Sequence, residues 1–240
     1  MSVLTVVPNT GSTNRDLVVA SADPELPDLA TLVTTDQTAG RGRRDRTWVA
    51  PAGSGLAVSV LLRGRVGGPL TSWIPLVAGL AMVEALDPLA PGRVALKWPN
   101  DVLLDDQKVC GILVEVANGR DAVVGAGVNL RSSRDDLPFP AATSLLLAGL
   151  DTSDDVVDRV LDAYLGALSA FGSEDAERLH VRVAQVCSTL GQRVRVDLPA
   201  GDILTGWAHD LDDEGRLEVR RDDGSIVAVS VGDVIHVRTA

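Results

Sequence analysis

The chain has 240 residues, 45% hydrophobic but only 3% aromatic, and a formal net charge of −11. That length accommodates one large domain and a small one, with a core built from Val, Leu and Ala rather than rings. The acidity argues against a protein whose main task is gripping nucleic acid, so any phosphate handling needs a local basic patch. Cys110 and Cys187 form no Cys-x-x-Cys pair, and His180, His209 and His236 lie far apart, which excludes zinc spacing. Two reduced, buried thiols fit the cytoplasm. No cationic leader opens the chain. The longest apolar stretch, Ile74 to Leu86, contains Glu84 and is too short to span a bilayer, so no membrane role is expected.

In chain order, Val3 to Val7 reads as a short strand broken by Pro8 to Gly11. Ser12-Thr13-Asn14 offers capping side chains to a short helix over Asp16 to Ala20. Leu32 to Thr35 is a strand. Asp36 to Gly55, rich in Gly and Arg and without apolar periodicity, reads mostly as a loop. Leu56 to Leu62 is a clear strand. Trp73, Leu76, Val77, Leu80 and Val83 recur at helical spacing, predicting a helix over Thr71 to Leu86. Val94 to Trp98, Val102 to Leu104, Val109 to Val116 and Val123 to Val128 are β-rich, separated by Pro99-Asn100-Asp101, Asp105-Asp106-Gln107 and Asn118-Gly119 turn signals. Helices follow over Asp151 to Phe171, capped by Thr152 or Ser153, and over Glu174 to Val186. From about residue 190 the texture changes to five short β runs cut by Pro199-Ala200-Gly201, Asp213-Glu214-Gly215 and Asp223-Gly224. They predict a small barrel and a domain boundary near residue 188, dividing the chain into 1–187 and 188–240.

Four segments could carry chemistry. Gly40-Arg41-Gly42-Arg43-Arg44-Asp45-Arg46-Thr47-Trp48 sets four arginines against one aspartate. Glycines free backbone N–H groups for an anion, arginine forks match phosphate and carboxylate oxygens, and a Trp can stack on a flat ring. A solvated basic surface loop is the alternative. A dinucleotide fingerprint is disfavoured because Asp45 stands where its third glycine belongs, and no Gly-Lys-Ser/Thr of a Walker loop follows. Lys97-Trp98-Pro99-Asn100-Asp101 puts Asn100 and Asp101 on a turn. If the next two β runs pair, Lys108 lies near the hairpin tip with no carboxylate directly attached, and Gly111 on the strand lets a ligand lie against backbone; an ordinary turn lysine is the rival. Ser12-Thr13-Asn14 is a helix cap or a reader of a small polar ligand. Gly125-Ala126-Gly127-Val128-Asn129 is a tight strand end or a place of close approach where Asn129 can donate and accept.

In this order and combination these segments resemble the biotin protein ligase family. The matching elements are Gly11 to Asn14, Gln37 to Arg44 with Arg46 and Trp48, Lys97 to Asp101, Lys108 with Gly111 to Glu115, and Gly125 to Asn129. The chain departs from the family at Asp45, where the loop usually continues with glycine. Only about ten residues precede Ser12, too few for the helix-turn-helix repressor module of some members, so a ligase without DNA binding is expected.

The resemblance implies an α+β fold: a mixed sheet packed with helices, class II synthetase-like as in biotin and lipoate ligases, plus a small C-terminal Src-homology-3-like β-barrel. It implies ATP-dependent attachment of biotin to a lysine of a biotin carboxyl carrier domain of an acyl-CoA carboxylase, through biotinyl-adenylate, with Mg²⁺ arriving with ATP. By the same likeness Lys108 and Arg43 are catalytic. Ser12, Thr13, Asn14, Gln37, Arg41, Gly42, Arg43, Lys108 and Gly111 bind biotin. Arg43, Arg44, Arg46, Trp48, Asn100, Asp101 and Asn129 face ATP or the adenylate. A homodimer through sheet edges, as in some relatives, is left open. A lipoate ligase and a non-enzymatic biotin-binding regulator are the rival functions.

Overall fold

A computed structural model describes residues 3–68, 70–171, 175–199, 201–230 and 232–237. Its larger sheet contains β1 (Leu4–Val6), β2 (Thr31–Thr34), β3 (Gly55–Leu62), β4 (Val94–Lys97), β5 (Asp101–Leu104), β6 (Gln107–Ala117) and β7 (Asp121–Asn129). Their spatial order is β1-β2-β3-β7-β6-β5-β4. Only β1 and β2 run parallel; every other pair is antiparallel, so the sheet is mixed. The turns follow their residues. Asp105 and Asp106 both adopt positive φ, the geometry of a two-residue hairpin turn that Asp tolerates. Asn118 and Gly119 do the same between β6 and β7.

Alternation along β3 sends Leu56, Val58, Val60 and Leu62 into the main core. There they meet α2 (Ile74–Leu86), which is buried on all sides except at Pro75 and Glu84. The expected stripe at helical spacing is therefore only part of its buried surface. With its flanking 3-10 turns, Thr71–Leu89 is long and apolar enough to cross a bilayer. Here that length is spent as the central core helix, clad by α3 (Asp154–Ser169) and α4 (Ala176–Val186). Val156, Val160, Leu161, Tyr164 and Leu168 form the buried stripe of α3, as periodicity predicts. The expected start of α4 at Glu174 lies outside the described residues.

The opposite sheet face is treated differently. α1 (Thr13–Ala20) places Leu17 against Leu61, Val123, Ala30 and Ala117. Eight helical residues span only about 12 Å, whereas eight strand residues span about 27 Å. One end of this face is thus left without a helix, and the cleft opens there.

The connection from α1 to β2 is held by Arg63. Its guanidinium donates to the carbonyls of Ser21, Asp23 and Leu26 and pairs with Asp121 at 2.6 Å. Burial opposes the charge on Asp121, but the Gly64 N–H and the Arg63 guanidinium outweigh it and hold the carboxyl below its ordinary value. A depressed folded pKa stabilises above the unfolded value of about 3.9, and the contribution disappears as pH falls through the folded pKa. Asp121→Asn is expected to cost about 2–3 kcal/mol at neutral pH, somewhat less than a fully buried pair. In urea melts the gap from wild type should close below about pH 4; a gap independent of pH would assign the loss to packing instead.

The smaller sheet contains β8 (Arg193–Asp197), β9 (Ile203–Leu211), β10 (Leu217–Arg220), β11 (Ile226–Val229) and β12 (Asp233–His236), in the antiparallel order β11-β10-β9-β8-β12. Val194, Val196, Leu204, Ala208 and Val219 face inward, forming a small Src-homology-3-like barrel core that joins the main one. The β9–β10 turn clamps the two parts together: Trp73 Nε1 donates to the Asp213 carbonyl at 2.8 Å and Trp98 Nε1 to that of Gly215 at 3.1 Å. Gly215 has φ +70°, which favours glycine, and a Cβ there would press on Leu76 Cδ1 at 3.0 Å.

Candidate active site

The uncovered end of the sheet floors a cleft of about 860 Å³. Its floor is a row of cross-strand neighbours, Ala57, Gly127, Gly111 and Asp101, running over β3, β7, β6 and β5. Trp48 lies on that row: a Cβ on Gly127 would stand 2.6 Å from its Cε2, and one on Gly111 3.1 Å from its Cζ3. The paired glycines therefore let a flat ring approach the backbone.

Lys108 reaches this face because β6 carries one extra residue. The register steps from Val102↔Cys110 to Leu103↔Lys108, leaving Val109 as a bulge. Strict alternation would put Lys108 on the same face as Cys110, which is wholly buried; the bulge turns it instead to the side of Asp101 and Gly111. Its Nζ pairs with Asp101 Oδ1 at 2.6 Å and lies 5.8 Å from the Trp48 ring centroid. This corrects the expectation of a lysine with no carboxylate directly attached: Asp101, on the preceding strand of the same hairpin, is delivered by the pairing of β5 with β6. Lys97, also in the cleft, is held below its ordinary pKa, chiefly by burial and further by Lys108, against the pull of Asp101.

The arginine segment is a tight hairpin. Arg41 bridges Thr47, Gly42 N–H donates to the Arg46 carbonyl at 2.7 Å, and Trp48 N–H to that of Gly40 at 2.9 Å. Arg44 and Asp45 occupy its tip at φ +53° and +57°. Asp45 thus adopts the left-handed backbone that explains a glycine preference, which Asp accepts at modest cost. Arg43 turns inward and donates to Asn100 Oδ1 at 2.8 Å; burial lowers its pKa, opposed by Asp233. Asn100 is itself fixed, since its Nδ2 donates to the Ile112 carbonyl and its own carbonyl accepts from Ile112 N–H, both at 2.8 Å. Arg41 pairs with Glu115 at 2.7 Å.

At the far side, Ser12 occupies the N-cap position of α1 with extended backbone, as its residue type predicts, but its buried side chain makes no capping hydrogen bond. Thr13 and Asn14 join a chain of contacts instead. Thr13 N–H donates to Gln37 Oε1 at 2.9 Å, Ser59 Oγ lies 2.8 Å from both Thr13 Oγ1 and Asn14 Oδ1, and Asn14 Nδ2 donates to Glu115 Oε2 at 2.9 Å. Gly125 makes room for this, because a Cβ would collide with the Asn14 amide. Asn129 donates to the Thr143 carbonyl at 2.9 Å, tying down the cleft wall that carries Phe139.

Of the residues singled out from the sequence, Ser12, Thr13, Asn14, Gln37, Arg41, Gly42, Arg43, Arg46, Trp48, Asn100, Asp101, Lys108, Gly111 and Asn129 all line the cleft. Arg44 does not; it pairs at the loop tip with Asp233 Oδ2 at 3.1 Å, while Arg46 pairs with Oδ1 at 2.6 Å. Sequence reading missed Ser59, Glu115, Lys97, Phe139 and Asp233 as site residues. Lys97 and Glu115 stood inside the motifs and could have been found; Ser59, the one polar side chain in an apolar strand, was a weaker signal. Because both Asp233 pairs are partly exposed, Asp233→Asn should weaken the tether by only about 0.5–1 kcal/mol. Trypsin should then cut ligand-free protein at Arg43 to Arg46 about two- to fivefold faster with no change in melting temperature; unchanged cutting would show that the tether does not hold the loop.

Residues 6–129 match the biotin/lipoate A/B protein ligase family, and residues 189–237 match the biotin protein ligase C-terminal domain. The biotin–[acetyl-CoA-carboxylase] ligase of Mycobacterium tuberculosis is 39% identical over 98% of this chain and 89% of its own length. The bifunctional ligase/repressor BirA of Escherichia coli is 29% identical over 98% of this chain and 74% of its own length. Among solved structures, the biotin protein ligase from Aquifex aeolicus in complex with biotin and ATP superposes with a TM-score of 0.80, at 26% identity over the whole of both chains. The chain belongs to the biotin/lipoate A/B protein ligase family, among its biotin protein ligases.

Proposed function

We propose that the chain is an ATP-dependent biotin–[acetyl-CoA-carboxylase] ligase, a reading carried by the gathering of Lys97, Lys108 and Arg43 in one cleft of an acidic molecule. In the first step a biotin carboxylate oxygen attacks the α-phosphorus of ATP, the bond to the bridging oxygen breaks, and pyrophosphate leaves. One anion attacks another, so the barrier is largely electrostatic. Lys108 and Arg43 lower it by neutralising carboxylate and phosphate oxygens with charge-assisted bonds worth about 1.5–3 kcal/mol each. Asp101 and Asn100 hold these two cations in place beforehand. In the second step a lysine amine of the carrier domain attacks the acyl carbon, AMP leaves, and the amine gives up its proton.

Ser12, Thr13, Asn14, Gln37, Arg41, Gly42 and Gly111 surround biotin in this reading, with the Thr13–Gln37–Ser59 contacts presenting polar groups suited to a ureido ring. Arg44, Arg46, Trp48 and Asn129 serve the nucleotide side, Arg44 by leaving Asp233. Closure of the loop excludes water from the hydrolysable anhydride. Magnesium enters as the counter-ion of the triphosphate. Among the described residues no three His, Cys, Asp or Glu gather into a metal cage, but Asp101 and Asp106 face the cleft, and this ion needs only one or two carboxylates beside phosphate oxygens and water.

Residues 1–187 form the catalytic domain and 188–240 the barrel in the same reading. The acceptor is the biotin carboxyl carrier domain of an acyl-CoA carboxylase. Buried free thiols at Cys110 and Cys187 support a cytoplasmic setting. The outer strand β1, with Leu4 and Val6 exposed, is where a homodimer would pair. Biotin-dependent exchange of labelled pyrophosphate into ATP, followed by mass spectrometry of a carrier domain, tests the assignment. Exchange with lipoate and not biotin would overturn it, as would tight biotin binding without exchange.

A further inference from the structure

The outer face of the barrel carries a pattern that the first reaction step does not use. Trp207 on β9 is flanked by its cross-strand neighbours Arg193 on β8 and Arg220 on β10, and Arg220 is in turn paired with Ile226 on β11. Val237 donates its N–H to the Arg193 carbonyl, extending the same row past β12. Two residues along, Ile235 is paired with Arg195. Trp207 is 44% exposed, Ile235 48% and Ile226 49%. Large apolar side chains concentrated on one sheet face with arginines between them mark an interaction surface, not random exposure.

The position of this face identifies its occupant. On β12, Ile235 follows Asp233 by two residues, so both side chains point outward about 7 Å apart, and Asp233 holds the tip of the arginine hairpin. Ile235 also lines the cleft. The surface is therefore a continuation of the cleft wall, reaching Trp207 two strands, or about 10 Å, from β12. Resting on the ligase reading above, we infer that the lysine-bearing acceptor domain docks on this face, with Trp207 as its central anchor and its lysine directed past Ile235 into the cleft. On this face Arg193 pairs with Asp222 at 2.8 Å and Arg195 with Asp197 at 2.9 Å, so Arg220 is the arginine offered to an acidic group beside the acceptor's apolar patch.

The test separates docking from chemistry. Trp207→Ala and Arg220→Glu are each expected to raise KM for the carrier domain by about tenfold or more, the size of an interface hot spot. Biotin-dependent pyrophosphate exchange and transfer of the biotinyl group to hydroxylamine, an acceptor too small to dock, should stay at wild-type rates. An unchanged carrier KM in both variants overturns the proposal, and so does an unchanged KM accompanied by a shifted monomer–dimer balance, which would make the face a contact between copies. Loss of exchange in both variants also overturns it, by making the face structural. Absence of exchange in the wild type would instead remove the ligase reading; docking would then be judged by whether Trp207→Ala abolishes carrier-induced NMR line broadening.

Discussion

Replacing Lys108 with alanine is expected to slow biotinyl-adenylate formation by on the order of a hundredfold or more, the usual cost of removing a group aimed at developing charge. The structure gives two reasons for a large effect. Lys108 stands over the glycine floor beside Trp48, where a ring lying on backbone excludes water and strengthens the remaining charges. Removing it also leaves Asp101, its partner at 2.6 Å, without its direct counter-charge beside two anionic substrates. The variant is thus penalised by a lost attraction and a new repulsion. Lys108→Ala combined with Asp101→Asn should recover part of the rate, because the repulsive half is removed. Rapid-quench measurement of pyrophosphate release checks both; a near-normal rate in the single variant would take Lys108 out of the chemistry.

Arg43→Gly acts on retention. The arginine links the hairpin to Asn100, which is itself tied to Ile112. With glycine there, the inner end of the hairpin loses both its attachment and its charge. Loss of one charge-assisted contact corresponds to about 1.5–3 kcal/mol, so the adenylate should escape on the order of ten- to a hundredfold faster. Escaped mixed anhydride acylates exposed lysines without selection. Incubating the variant with biotin, ATP and an unrelated protein such as serum albumin should label the bystander; an unlabelled bystander would show that Arg43 does not retain the intermediate.

Much of the catalytic framework was legible in the sequence because it lies in short contiguous motifs on strongly patterned strands. Alternation in Leu56 to Leu62 and turn residues at Asp105-Asp106 and Asn118-Gly119 placed the hairpins that form the floor. Three features were not legible, each for a physical reason. Asp233 meets Arg44 and Arg46 across nearly two hundred residues, and nothing local marks one carboxylate of an acidic chain as a tether. Ser12-Thr13-Asn14 has the composition of a helix cap, yet burial beneath the sheet redirects Thr13 and Asn14 to Gln37, Ser59 and Glu115. The central helix shows an apolar stripe, but tertiary packing on every side made the stripe uninformative about which face is buried.

The unpaired Val109 has a consequence for how this hairpin can evolve or be engineered. Side-chain direction on a strand is a two-valued phase, and the bulge resets it once, between the core and the cleft. Deleting Val109 would place Lys108 directly before Cys110, and plain alternation would then keep the ammonium group on the cleft side; pairing the strand without a bulge while Val109 is present would instead send it into the oily interior with every amino acid of the motif preserved. The direction of Lys108 is therefore set by where the bulge forms and not by the motif's residues alone, a constraint that no inventory of residue identities would reveal.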